Sequence, residues 1–196
     1  MLGTGDNALL IGNWPYTQMP PYMKFHYMLS LSYYVEDGLM LCFQMPNFDF
    51  WEMIMHHVVT GLLIFSSYMS GFWIFGILIL VQMDIADIFV GLVRTFMDFC
   101  KIQYAVMIYL GIMTSWFYMR FVCYIKLIVY DFTLDARLAI DGVHDSVVVI
   151  NFLLFALLLL NVYWFILLVR MGLRLAISGK AKDIQQLTSK AEDEQN

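Results

Sequence analysis

The chain has 196 residues, a formal net charge of −5, 61% hydrophobic and 14% charged residues, and a mean hydropathy of +0.71. Soluble domains run at roughly 45 to 50% apolar and about 25% charged, so this composition excludes an ordinary soluble domain, and the acidic balance argues against a nucleic-acid partner. Three cysteines, Cys42, Cys100 and Cys123, lie in or beside apolar segments with no CxxC pair, which gives neither a disulfide framework nor a zinc site.

In chain order, the opening MLGTGDNALLIGNWPY lacks a basic start and a long apolar core, so no cleavable signal peptide is expected. Five apolar runs come after it, at residues 23–44, 50–69, 72–93, 104–130 and 147–171, each near the ~20 residues that a spanning helix requires. The expected fold is all-α: a polytopic membrane bundle of about five transmembrane helices over residues 1–175, followed by a polar, mixed-charge tail at 176–196. The fourth run is long and carries Arg120 and Lys126, which predicts a kink or a split; the fifth is broken inside only by Asn151 and Asn161. Arg94 and Lys101 share one loop, and Arg170, Arg174, Lys180, Lys182 and Lys190 come at or after the end of the last run. The positive-inside rule therefore puts that loop and the tail on the cytosolic or matrix side and the N-terminus opposite.

Ionisable groups at membrane depth are costly and point to function. His56 and His57 lie in the second run, and Asp84 and Asp87 in the third. With a turn near Ser70-Gly71, His57 precedes it by about thirteen residues and Asp84 comes about thirteen after it, so at ~1.5 Å rise per residue both lie ~20 Å from the turn. Antiparallel neighbours would bring an imidazole pair and a carboxylate pair to one level, with His57 meeting Asp84 or Asp87. From residue types alone, three uses stay open: proton transfer or covalent catalysis, a metal site, and a hydrogen-bond cluster that only holds the helices together. Arg120 and Lys126 read as snorkelling or paired groups, and His26 and His144 receive no role. Glu36-Asp37 is either the end of the first span or a polar contact to a partner. The 15 methionines and 17% aromatics read first as helix packing.

The stretch DFWEMIMHHVVTGLLIFSSYMSGFWIFGILILVQMDIADIFVGLVR resembles the Lag motif of ceramide synthases, within the TLC domain. Asp49-Phe50, His56-His57, Thr60, Ser67-Tyr68, Asp84 and Asp87 fall in register with that family's pattern. NWPYTQMPPYMKFHYMLSLSYY is similar to the family's luminal segment and the helix after it, and NFLLFALLLLNVYWFILLVRM to its last helix. The resemblance implies acyl transfer from a fatty acyl-CoA, as co-substrate and with no bound cofactor, to the amine of a sphingoid base. His56, His57, Asp84 and Asp87 would be the catalytic residues, with Thr60, Tyr68 and Trp164 contacting substrate and no metal. It also implies residence in the endoplasmic reticulum.

Departures from the pattern keep a second reading open. Met83 stands where the family has histidine, Gly91 and Arg94 where it has glutamate and lysine, Ser30 where it has glutamate, MPNF where it has a basic run, and Asn161 where a histidine is usual. The match begins in the loop before the second of six core helices, so another membrane-protein chain or lipid is expected to close that side. The alternative is a catalytically degenerate accessory subunit or lipid-binding scaffold of a larger membrane complex, for example a respiratory-chain assembly in the mitochondrial inner membrane.

Overall fold

A computed structural model describes residues 18–43, 49–96, 102–126, 132–133 and 145–178, and these form five helices in the expected order. They are α1 (Pro21–Leu41), α2 (Phe50–Met69), α3 (Trp73–Phe96), α4 (Ile102–Phe117) and α5 (Asp145–Ser178). The N-terminal segment, the loop positions Lys101 and His144, and the tail from residue 179 lie outside the described residues. The expectations for the leader, the membrane orientation and the tail's chemistry fall there with them. Helix α5 crosses the expected tail boundary at 176 and ends at Ser178.

By length and composition one described helix, residues 145–173, suffices to cross a membrane, and Trp73–Ile85 is a shorter apolar helix. Helices α1, α2 and α3 carry charge inside the expected runs: Lys24, Glu36 and Asp37 in α1, Glu52 in α2, and Asp84 and Asp87 in α3. Their placement in a bilayer depends on how those groups are paired.

Local chemistry sets the helix ends. Pro21 starts α1, where its missing N–H costs nothing, and the amides of Met23 and Lys24 both donate to the Pro20 carbonyl. At the end of α2 Gly71 adopts φ 76°, a left-handed conformation that glycine enters without a Cβ penalty. The Phe72 amide then reaches back to the Ser67 carbonyl (2.9 Å) and the Gly71 amide to the Tyr68 carbonyl (3.3 Å), closing the helix in a Schellman motif. The turn falls at the expected Ser70-Gly71 and reverses the chain directly into α3.

Helices α2, α3, α4 and α5 form a ring in which each packs on the next and α5 returns to α2, while α1 lies against α2. Val59 and Leu63 from α2, Phe75, Ile79 and Met83 from α3, and Ile150, Leu154 and Leu157 from α5 make the core. Phe132 enters this core edge-on to Phe72 and Phe75, with both ring pairs 5.2 Å apart. Outward, Phe25, Leu29, Tyr33, Phe152 and Leu159 are exposed, as suits an apolar surround rather than water.

The fourth run is irregular where the sequence placed its charge. After Phe117 the helix widens into a π-helical turn, Tyr118–Cys123. Such a turn shifts bonding from i+4 to i+5 and leaves a carbonyl short of its donor. The Met119 carbonyl accepts instead from the Gln82 side-chain amide of α3. The extra residue also rotates the side chains of this turn relative to α4, and Arg120 faces inward at 3% exposure.

Tyr27 joins three helices. Its ring is fully buried, and its hydroxyl lies 2.8 Å from Ser67 Oγ. Because Ser67 Oγ already donates to the Ile64 carbonyl, Tyr27 is the donor in that pair. The hydroxyl passes over Gly76 so closely that a Cβ built there would lie 1.7 Å away. Gly76→Ala is therefore expected to displace Tyr27 and destabilise the bundle by more than Tyr27→Phe, which loses about 1 kcal/mol with its hydrogen bond. Thermal unfolding of the two variants in detergent gives the comparison; equal midpoints would mean that the three helices are not locked here.

Candidate functional site

Gly38 follows Asp37 on α1, and a Cβ there would sit 3.1 Å from His57 Cβ, so the glycine lets α1 lie close along α2. Asp37 is four residues before the end of α1 at Leu41 and His57 seven after the start of α2 at Phe50, a depth difference of about 5 Å at 1.5 Å rise per residue. Asp37 Oδ2 is 3.3 Å from His57 Nε2; the imidazole is buried, whereas the carboxylate is 49% exposed. In the neutral tautomer with its hydrogen on Nε2, beside the carboxylate, Nδ1 carries the lone pair, and Nδ1 is buried with no hydrogen-bond partner among the described residues.

His56 points elsewhere, since neighbours on a helix diverge by about 100°. Its Nδ1 is 3.4 Å from Thr60 Oγ1, and its ring stands edge-on to Trp164 of α5 at 5.2 Å. Tyr34 sits 6.1 Å from both imidazoles. His56, Thr60, Tyr34, Met83 and Leu157 line a cavity of ≈ 10 Å³, about the room of one water.

The expected meeting of His57 with the α3 carboxylates is corrected by these pairings. Asp84 is exposed and makes no hydrogen bond or ion pair among the described residues. Asp87 Oδ1 accepts instead from Arg120 Nη2. On α3 Met83 faces the cavity, whereas the next residue, Asp84, faces out. Tyr68 also stands apart: it packs against Tyr27 at 6.0 Å, about 12 Å farther along α2 than Thr60. His56, His57, Thr60 and Trp164 thus come together, while Asp84 and Tyr68 do not join them. Among the described residues no three His, Cys, Asp or Glu side chains converge as metal ligands.

Arg120 forms a second centre. Nη1 donates to Asn161 Oδ1 at 2.7 Å, Nη2 reaches Asp87 and makes a long 3.5 Å contact to the Met83 carbonyl, and the guanidinium carbon lies 4.2 Å above the Trp116 ring. Asn161 is fully buried. Arg120 Nε, Asn161 Nδ2 and Trp116 Nε1 are buried without partners among the described residues, a cost of about 1 to 3 kcal/mol each. Met83 and Leu157 connect this centre to the cavity beside His56.

The chain matches the TLC domain profile of the TRAM, LAG1 and CLN8 proteins over residues 7–170. It belongs to the TLC-domain family. Ceramide synthase LAG1 of Saccharomyces cerevisiae is 26% identical over 93% of this chain and 47% of its own length. Sphingosine N-acyltransferase lac1 of Schizosaccharomyces pombe is 30% identical over 88% of this chain and 47% of its own. Ceramide synthase hyl-1 of Caenorhabditis elegans is 25% identical over 88% and 50%. The chain thus spans about half the length of these relatives, and membership of a membrane family makes it a membrane protein.

Two groups of this TLC domain were not singled out from sequence as site residues, Asp37 and Arg120. The antiparallel counting that linked α2 to α3 applies equally to α1 and α2 and would have found Asp37. Arg120 required knowledge of the π-helical turn. Its burial makes a prediction: Arg120→Ala leaves the buried Asn161 Oδ1 without its donor and removes the cation beside the half-exposed Asp87, and is expected to cost about 1 to 3 kcal/mol. Arg120→Met with Asp87→Asn recovers part of that loss. Chemical unfolding of the three proteins in micelles reads the difference, and an unchanged single variant would mean that the pair contributes nothing.

Proposed function

We infer that this TLC domain carries a ceramide synthase-like site, transferring an acyl group from a fatty acyl-CoA to the amine of a sphingoid base, in the membrane of the endoplasmic reticulum. The carrying observation is His57, with Nε2 3.3 Å from Asp37 Oδ2 and a buried Nδ1 that has no partner among the described residues. A basic nitrogen without a partner inside an apolar bundle is what a general base looks like before its substrate arrives. In the proposed step Nδ1 takes the proton from the amine as its nitrogen attacks the thioester carbonyl. The C–N bond forms, the C–S bond breaks, and the coenzyme A sulfur leaves with the proton as a thiol. Asp37 orients the imidazole and stabilises its charged form.

His56 and Thr60 line the cavity where the acyl carbonyl would lie, and Trp164 packs on His56. At ≈ 10 Å³ the cavity is closed around little more than a water, so helix movement accompanies substrate entry. Membrane lipids would contact the outward apolar side chains of α1 and α5, as would any further membrane chain.

One observation favours the accessory or scaffold reading: an apolar Met83 lines the cavity beside His56 where the resembled family carries histidine. The experiment separates the two. Protein in nanodiscs is supplied with palmitoyl-CoA and sphinganine, and product is followed by mass spectrometry. His57→Ala is expected to lower turnover more than a hundredfold and Asp37→Asn at least tenfold, both with normal membrane insertion. Wild-type turnover with neither variant affected would remove His57 and Asp37 from the mechanism. No product from a folded wild-type protein would leave the scaffold reading standing.

A further inference from the structure

Helix α1 touches the rest of the bundle along one narrow stripe. Tyr27, Leu31, Tyr34 and Gly38 recur on one face of the helix, whereas Phe25, Leu29, Tyr33, Glu36 and Leu39 around it are exposed. The backbone of α1 runs close along α2 and not along α3. The stripe is fixed near both ends, by Tyr27 on Ser67 across Gly76 and by Asp37 on His57 beside Gly38. Between those fixings stands Tyr34. Its ring lies 6.1 Å from both imidazoles, and it is the α1 side chain that lines the cavity beside His56.

The other walls of this cavity are hard to part. Leu63, Ile79, Met83 and Leu157 belong to the apolar core that joins α2, α3 and α5, and the Arg120 contacts tie α3 to α5. Tyr34 is held by packing, against His56, His57, Tyr33 and the cluster of Tyr27, Ile64 and Leu80. A change of rotamer takes its ring out of the wall. The seam between α1 and α3 is therefore the side on which the closed cavity opens at least cost. Inside Tyr34 the lining is apolar at Leu63, Ile64, Ile79 and Leu80, which suits an alkyl chain. Outside it, the exposed Tyr33 lies within electrostatic reach of Asp37, Asp84, Asp87 and Glu36. Arg120 stands at Asp87, and the titratable imidazoles of His57 and His26 stand near Asp37 and Asp84, so the rim carries surplus negative charge. Beside an apolar medium such a rim favours a cationic head and repels an anionic one. Buried His57 meets this rim through Asp37.

We propose that the seam between α1 and α3 is the port through which a cationic single-chain amphiphile passes from the bilayer to His56 and His57, with Tyr34 as its gate. This deepens the acyl-transfer reading and rests on it for the identity of the arriving amine as a sphingoid base, but passage and binding need no turnover.

The test uses the full chain in nanodiscs and the rate at which diethyl pyrocarbonate modifies His56 and His57, read by peptide mass spectrometry. Modification follows the population with the gate open, so Tyr34→Ala is expected to react at least tenfold faster than the wild type. Tyr34→Phe, which keeps the ring, and Leu39→Ala, on the outward face of α1, are expected to react at the wild-type rate. Sphinganine is expected to slow the reaction, and palmitate, anionic and of similar length, to do so at least tenfold less effectively. To locate the port, Cys42, Cys100 and Cys123 are replaced by serine, and Tyr33→Cys with Asp84→Cys is bridged across the seam by a reducible bis-thiosulfonate. The bridge is expected to abolish protection by sphinganine, and reduction to restore it. Modification indifferent to Tyr34 in folded variants, equal protection by palmitate, or protection that survives the bridge would overturn the port. Protection as expected but no ceramide formed would retain the port while the acyl-transfer reading fails. Ceramide formed at an undiminished rate by the bridged protein would overturn the port and leave that reading standing.

Discussion

A permanently charged guanidinium in the middle of an apolar helix ring constrains the rest of this structure. Taking such a group out of water costs several kcal/mol even after relaxation, and only well-placed partners offset that cost. Arg120 finds a carboxylate on α3, an amide oxygen on α5 and an aromatic face one turn back on its own helix. These contacts require α3, α4 and α5 to meet at one level and in one rotation, which slides and turns permitted by apolar packing alone would not fix. The π-helical turn has a physical role in this arrangement. It brings Arg120 inward, and the carbonyl it leaves short is met by Gln82 of α3, so the irregularity is tied to the same interface.

The second polar centre is built alike: His57 is buried and Asp37 half exposed, as Arg120 is buried and Asp87 half exposed, so each pair reaches from the interior of the bundle to its surface. Gly38 permits the close approach, and Tyr34 packs near both imidazoles. Between the two centres lies the small cavity under His56, with Met83 belonging to both sides. The bundle thus buries an imidazole nitrogen of His57 and, separately, N–H groups of Arg120, Trp116 and Asn161 that have no partner among the described residues. A packed core would bury neither without partners, and the unsatisfied nitrogens reduce stability in the region where binding would restore it.

Helix α1 completes the proposed site without belonging to the ring. Its attachment rests on the Asp37–His57 pair and on Tyr27, whose hydroxyl reaches Ser67 across Gly76. Small residues at both points, Gly38 and Gly76, let backbones approach to where single polar side chains fix the rotation. Helix packing in an apolar medium depends on such close approach, since burial from water supplies little of the association.

The sequence by itself determined the number, order and approximate ends of the helices, because apolar run length, Pro20-Pro21 and Gly71 act locally. It also located the irregularity in the fourth run, where a charge at membrane depth interrupts an otherwise continuous helix, and its motif register pointed to the family. It determined that His56 and His57 diverge, a property of the helix alone. The partners of these groups were decided by tertiary structure. Counting residues gives depth but not rotation, and on α3 one residue's step of about 100° separates Met83 facing the cavity from Asp84 facing out. Asp37, which sequence left as a helix end or a contact to a partner, becomes the carboxylate of His57 because α1 packs on α2. Asp87 goes to Arg120 because the π-helical turn and the closing of the ring through α5 bring that guanidinium to α3. Those choices rest on the mutual rotation of helices far apart in the chain, which no local pattern records.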